Sequence, residues 1–140
     1  MYHRNAHAYK AKSLQAELLV ADPHRVIQLM MQSVLERLAQ AKGAMERQDL
    51  AAKGEAVAKA QALLRGLQDS LDLKQGQIAD DLYSLYEYMN ERVWQAGREL
   101  TPALLDEVSG LMLTIKSAWD QIPEEAKQEG YQQRQQQGEL

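Results

Sequence analysis

The sequence predicts an all-α protein, an antiparallel up-down four-helix bundle, and three observations carry that expectation. Apolar residues recur at three- and four-residue spacing through four successive stretches. Only a few residues, rich in caps and breakers, separate each stretch from the next. No stretch alternates polar and apolar residues as a half-buried strand would. Helices of about 18 to 25 residues joined by such short loops pack as antiparallel neighbours.

Residues 1–21 precede the first strong helix signal and are read as an N-terminal flap or short helix. Their opening, MYHRNAHAYK, holds Tyr2 and Tyr9 on a stretch too short and polar to fold alone. It has no apolar run or cleavage pattern of a secretory leader. Both tyrosines must therefore pack on another part of the protein. Leu14, Leu18 and Leu19 could form a short helix lying across the bundle.

Residues 22–123 are assigned to the bundle. Asp22-Pro23 sets an N-cap before a proline at the first helical position, and Ile27, Met30, Val34, Leu38, Ala41 and Met45 continue as one stripe. The first helix is expected over about 23–47. Asp49 caps a second, whose stripe reads Leu50, Val57, Ala60, Leu64, Leu67 and Leu71 before the break at Lys74-Gln75-Gly76. The third spans about 77–96 with Ile78, Leu82, Leu85, Met89 and Val93 inward, and Gly97 stands where a C-cap glycine is expected. Thr101-Pro102 repeats the cap-plus-proline start. Leu104, Val108, Leu111, Ile115 and Trp119 follow, and Pro123 forces an end. Residues 124–140 hold no aliphatic side chain except Ala126 and Leu140 and are read as a disordered tail.

Composition excludes several functions. The net charge is −4 with both signs interleaved, so the basic stripe needed to bind a phosphate backbone is missing. Apolar runs fall far short of the ~20 residues of a membrane span. Cysteine is absent, which removes disulfides and thiolate chemistry and suits a reducing cytoplasm. A di-iron bundle needs Glu-x-x-His pairs, and no His follows a Glu by three residues. His24 alone lies in a helix, in a first turn where it is expected to be exposed. No phosphate loop, zinc motif or nucleophile elbow appears, so neither catalysis nor a cofactor is expected.

The unusual feature is aromatic placement. Tyr83, Tyr86, Asn90 and Trp94 form a second row beside the inward stripe of the third helix. On the second helix Ala52, Ala56 and Leu63 widen the apolar face in the same way. Two neighbouring shoulders would form a groove that accepts a helix. Ordinary peripheral core is the alternative for any one of these residues.

Five blocks in order, MY with AYK, DPHRVIQLM, KGEAVAKAQALL, QGQIADDLYSLYEYM and SAWDQIP, resemble the flagellar secretion chaperones of the FliS type over residues 1–123. Gln75-Gly76 stands where that family often has paired glycines, and Ser33-Val34 where it has a small Gly-containing pair. The resemblance implies a cytoplasmic, non-enzymatic chaperone that wraps the C-terminal segment of flagellin around itself in a 1:1 complex and is monomeric when free. It also brings in the flagellar anti-sigma factor and the export gate as candidate partners. In similar chaperones the N-terminal segment folds over the client surface, and its tyrosine matches Tyr9 here. The candidate partner-binding residues are therefore Tyr2, Ala6 and Tyr9 on the flap with Ala56, Leu63, Tyr83, Tyr86, Asn90 and Trp94 on the bundle. The alternative is a self-associating structural or signalling bundle whose aromatic shoulder is a dimer face.

Overall fold

The structure, a computed structural model, describes residues 22–123, 126, 129 and 130. The flap and its Tyr2, Ala6 and Tyr9 lie outside these residues. Four helices form: α1 (Pro23–Glu46), α2 (Leu50–Asp69), α3 (Gln77–Glu99) and α4 (Pro102–Asp120), with a 3-10 turn at Leu73–Gln75 between α2 and α3. Each packs against the helices before and after it, and α1 closes the ring against α4. Among the described residues no strand is present, and the four-helix bundle stands as the sequence predicts. Of the tail, Ala126, Glu129 and Gly130 have helical backbone.

Local chemistry sets most helix starts. Asp22 Oδ1 accepts from the Arg25 amide at 2.8 Å and Asp49 Oδ1 from the Ala52 amide at 3.1 Å, each satisfying a first-turn donor that has no partner within its helix. Thr101 does not act this way. Its hydroxyl donates backwards to the Glu99 carbonyl at 3.2 Å, and the fixed φ of Pro102 begins α4.

The core is a column of fully buried Val34, Leu38, Leu64, Met89, Val93 and Met112. Three sequence expectations change at the helix ends. Gly97 is not a C-cap: α3 continues to Glu99 and closes on Leu100 with φ 52°. Gly97 instead lies buried where α2 comes close, since a Cβ there would sit 3.3 Å from both Val57 methyls, and its carbonyl accepts from Lys53 Nζ at 2.9 Å. Leu50 and Ile78, placed inward by periodicity, are exposed, because each sits in a first turn that projects past its neighbours.

The third change concerns His24, expected at the surface and found only 4% exposed. Its ring stacks on Trp119, centroids 4.8 Å apart and planes 8° from parallel. His24 Nε2 donates to the Trp119 carbonyl at 2.8 Å, and Trp119 Nε1 donates to the His24 carbonyl at 3.0 Å. Gln28 adds a 2.7 Å bond to Asp120. This reciprocal clasp ties the start of α1 to the end of α4. A first-turn histidine is surface by default, and only a partner 95 residues away reverses that.

Candidate functional site

Two clefts stand out. The first, about 730 Å³, opens at the end of the bundle where α1 begins, α2 ends, α3 begins and α4 ends. Val26, Ile27, Leu71, Ile78, Leu82 and Ile115 give it apolar walls, and Tyr86 lies among them. It forms because the 3-10 turn carries the chain across the bundle end without filling it, and Gly76 at φ 91° makes the corner into α3. Ile78 on its lip is 75% exposed, an apolar side chain that folding alone leaves in water.

Tyr86 is the residue whose position departs most from expectation. It is 3% exposed and belongs to the core, so it contributes a buried wall of this end cleft and no rim of a side groove. Burial pushes its phenol up to about 12.

The second cleft, about 750 Å³, runs along the side between α2 and α3. Asn90 and Trp94 line it from α3, and the Tyr83 carbonyl at one end accepts from Gln68 Nε2 at 3.2 Å. The α2 wall, however, is polar: Gln61, Arg65 and Gln68. Leu63 sits on the other side of α2, in a cleft against α1 that Met30 also lines, and Ala56, expected on the shoulder, is buried in the core. The expected groove with two apolar shoulders is therefore divided. Because α2 stands between α1 and α3 in the ring, one of its shoulders serves each neighbour.

The end-cleft residues Val26, Leu71 and Ile115 carried no sequence signal beyond ordinary core periodicity. The one local hint was Ile78 beside the Gln75-Gly76 break, where a stripe loses its cover. On the seam of α3 and α4, Arg92 Nε bonds Glu107 at 2.7 Å and Tyr88 bonds it at 2.8 Å. Together they hold the Glu107 carboxyl below the usual carboxylate range, the guanidinium contributing most. This seam is bridged by its own ion pair. Among the described residues no group of three or more His, Cys, Asp or Glu is placed to hold a metal, and no helix is long and apolar enough to cross a membrane.

An all-α bundle with one apolar cleft at its end and one polar groove along its side is a scaffold with surfaces sized for a helix or an extended segment. The chain belongs to the FliS family: the family described as "Flagellar protein FliS" matches residues 5–126. A flagellar secretion chaperone FliSB of Pseudomonas aeruginosa is 48% identical over 115 residues, covering 81% of this chain and 91% of that protein. The flagellar secretion chaperone FliS of Vibrio cholerae is 40% identical over 119 residues, 84% of this chain and 88% of its own. That of Salmonella typhimurium is 36% identical over 121 residues, 85% and 90% of the two chains. A flagellar export chaperone is the class into which fold and relatives place the chain.

Proposed function

We propose that this protein is a cytoplasmic chaperone that binds the C-terminal segment of flagellin one-to-one, prevents its premature polymerisation and delivers it to the flagellar export apparatus. The observation that carries the proposal is the open apolar cleft at the bundle end, with Ile78 exposed on its lip and Tyr86 behind it. A client helix laid there by its apolar face would cover surface that folding leaves wet. Ordering the client offsets much of that gain, so the complex is tight without being extreme. Leu63, Tyr83 and Trp94 sit on side surfaces over which a longer client would continue, whereas Ala56 and Asn90 are buried and offer it little.

Residues 1–21 join the bundle at Asp22, next to Pro23 on the rim of this cleft. In our reading Tyr2, Ala6 and Tyr9 belong to a flap that competes with the client for it. The anti-sigma factor and the export gate are further candidate partners under the same reading.

Light scattering of the purified protein mixed with a flagellin C-terminal segment tests the proposal. A 1:1 complex is expected. A dimer whose mass ignores the segment would favour the self-associating bundle instead.

A further inference from the structure

We infer that the groove between α2 and α3 is a docking site for a basic polypeptide segment, one presenting Lys or Arg side chains along an otherwise apolar face. Four carboxylates line it, Asp69, Glu87, Glu91 and Glu99, against the guanidinium of Arg65 in the lining and that of Arg98 over Trp94. A groove of one sign between low-dielectric walls concentrates the opposite charge.

The hydrogen-bonding capacity of the walls has the same polarity. Gln68 Nε2 is already spent on the Tyr83 carbonyl and on Glu87, at 3.2 and 2.6 Å, and Gln95 Nε2 on Glu99 at 3.1 Å. The acceptors outnumber these donors. Asn90, 9% exposed and part of the groove wall, keeps an Oδ1 with no hydrogen-bond partner among the described residues. That atom is itself closed off from solvent, so the acceptors the groove presents to an occupant are the carboxylate oxygens. Donors without acceptors are what lysine and arginine carry.

Trp94 gives the occupant its second feature. The indole is 53% exposed at the centre of this acidic lining, and Arg98 lies over its ring at 5.3 Å, which marks the ring face as a surface that takes a guanidinium. Exposed indole among carboxylates matches a segment that alternates cations with apolar side chains. From Glu87 to Glu99 the groove spans about 18 Å of helix, the length of three turns of such a segment. The inference is independent of flagellin: it names the chemistry of an occupant and holds whether or not the end cleft takes that client.

The experiment uses the full chain and two synthetic helical peptides of about 14 residues, four turns. Both carry one leucine face; the opposite face is lysine and arginine in one and glutamate in the other. Trp94 emission and calorimetric titration are the readouts. The basic peptide is expected to shift Trp94 emission to shorter wavelength, a shift missing in Trp94→Phe, and to bind at least about tenfold more tightly than its acidic counterpart. Asp69→Lys with Glu91→Lys, two exposed positions whose exchange leaves the helical circular dichroism unchanged, is expected to abolish that preference. Equal binding of the two peptides overturns the inference. So does a preference that survives the double charge reversal, or an emission shift that persists in Trp94→Phe. A flagellin segment titrated in parallel tests the client separately, so either reading can fail without the other.

Discussion

Ile78→Glu separates docking from folding at the bundle-end cleft. Ile78 is 75% exposed in the first turn of α3, so removing it creates no cavity and the unfolding midpoint is expected to move little, within about 0.5 kcal/mol. A client lying in the cleft would cover that side chain. Full burial of an isoleucine is worth about 1.5–3 kcal/mol, and three-quarters of it is still available here, which gives about 1–2 kcal/mol for the lost contact. Placing a carboxylate among Ile27, Leu71 and Leu82 adds a desolvation cost of about 1–3 kcal/mol. The sum, about 2 kcal/mol at its lower bound, predicts that the Kd for a flagellin C-terminal segment rises at least roughly thirtyfold. Calorimetric titration measures it, with circular dichroism as the fold control. A Kd within about threefold of wild type, on an intact bundle, would refute the cleft as the docking surface.

Four further outcomes are expected. His24→Ala removes the ring stacked on Trp119 and one of the two clasp bonds, a loss of about 2 kcal/mol, and should lower the thermal midpoint by roughly 8 °C; a midpoint within about 2 °C of wild type would show the clasp to be idle. Tyr86 has its phenol pushed up to about 12, so the folded state favours the neutral form: the stability this gives is complete below the ordinary tyrosine value near 10 and is lost as pH rises towards 12, and Tyr86→Phe should lack that alkaline loss in a denaturant titration. Leu100→Gly relieves a left-handed residue at φ 52° and should raise stability by about 0.5 kcal/mol, read from the urea midpoint; a fall would mean the leucine side chain packs usefully at the end of α3. Deleting residues 1–10 should leave helical circular dichroism intact and flagellin affinity equal or higher, whereas tenfold weaker binding would place Tyr9 in direct contact with the client.

Legibility followed the range of the interaction responsible. Asp22-Pro23 and Asp49 announce their helices because a cap bonds an amide three residues on, so the whole cause lies inside a short stretch. Gly97 resembles a cap for the same local reason, but the close approach of Val57, 40 residues earlier in the chain, is what requires a glycine there. His24 is buried by Trp119 from the far end of the bundle. The side groove shows the limit most clearly. Periodicity finds apolar Leu63 and polar Gln61 and Gln68 flanking one stripe, yet which flank turns to α1 and which to α3 depends on the hand in which the ring closes. Asn90 and Trp94 line the groove between α2 and α3, and Leu63 lines the cleft against α1.

The clasp between the start of α1 and the end of α4 brings the chain at Asp22 and at Asp120 out at the same end of the molecule, beside the apolar cleft. A fluorophore or surface tether attached at Asp22 or Asp120 is thus joined at the mouth being assayed. Immobilising the protein that way would slow client entry and depress apparent affinity without altering one docking residue. The left-handed turn at Gln48, φ 59°, lies at the far end of the bundle, exposed and outside any helix. A cysteine introduced there, the only one in the chain, would carry a label or linker and leave the cleft open.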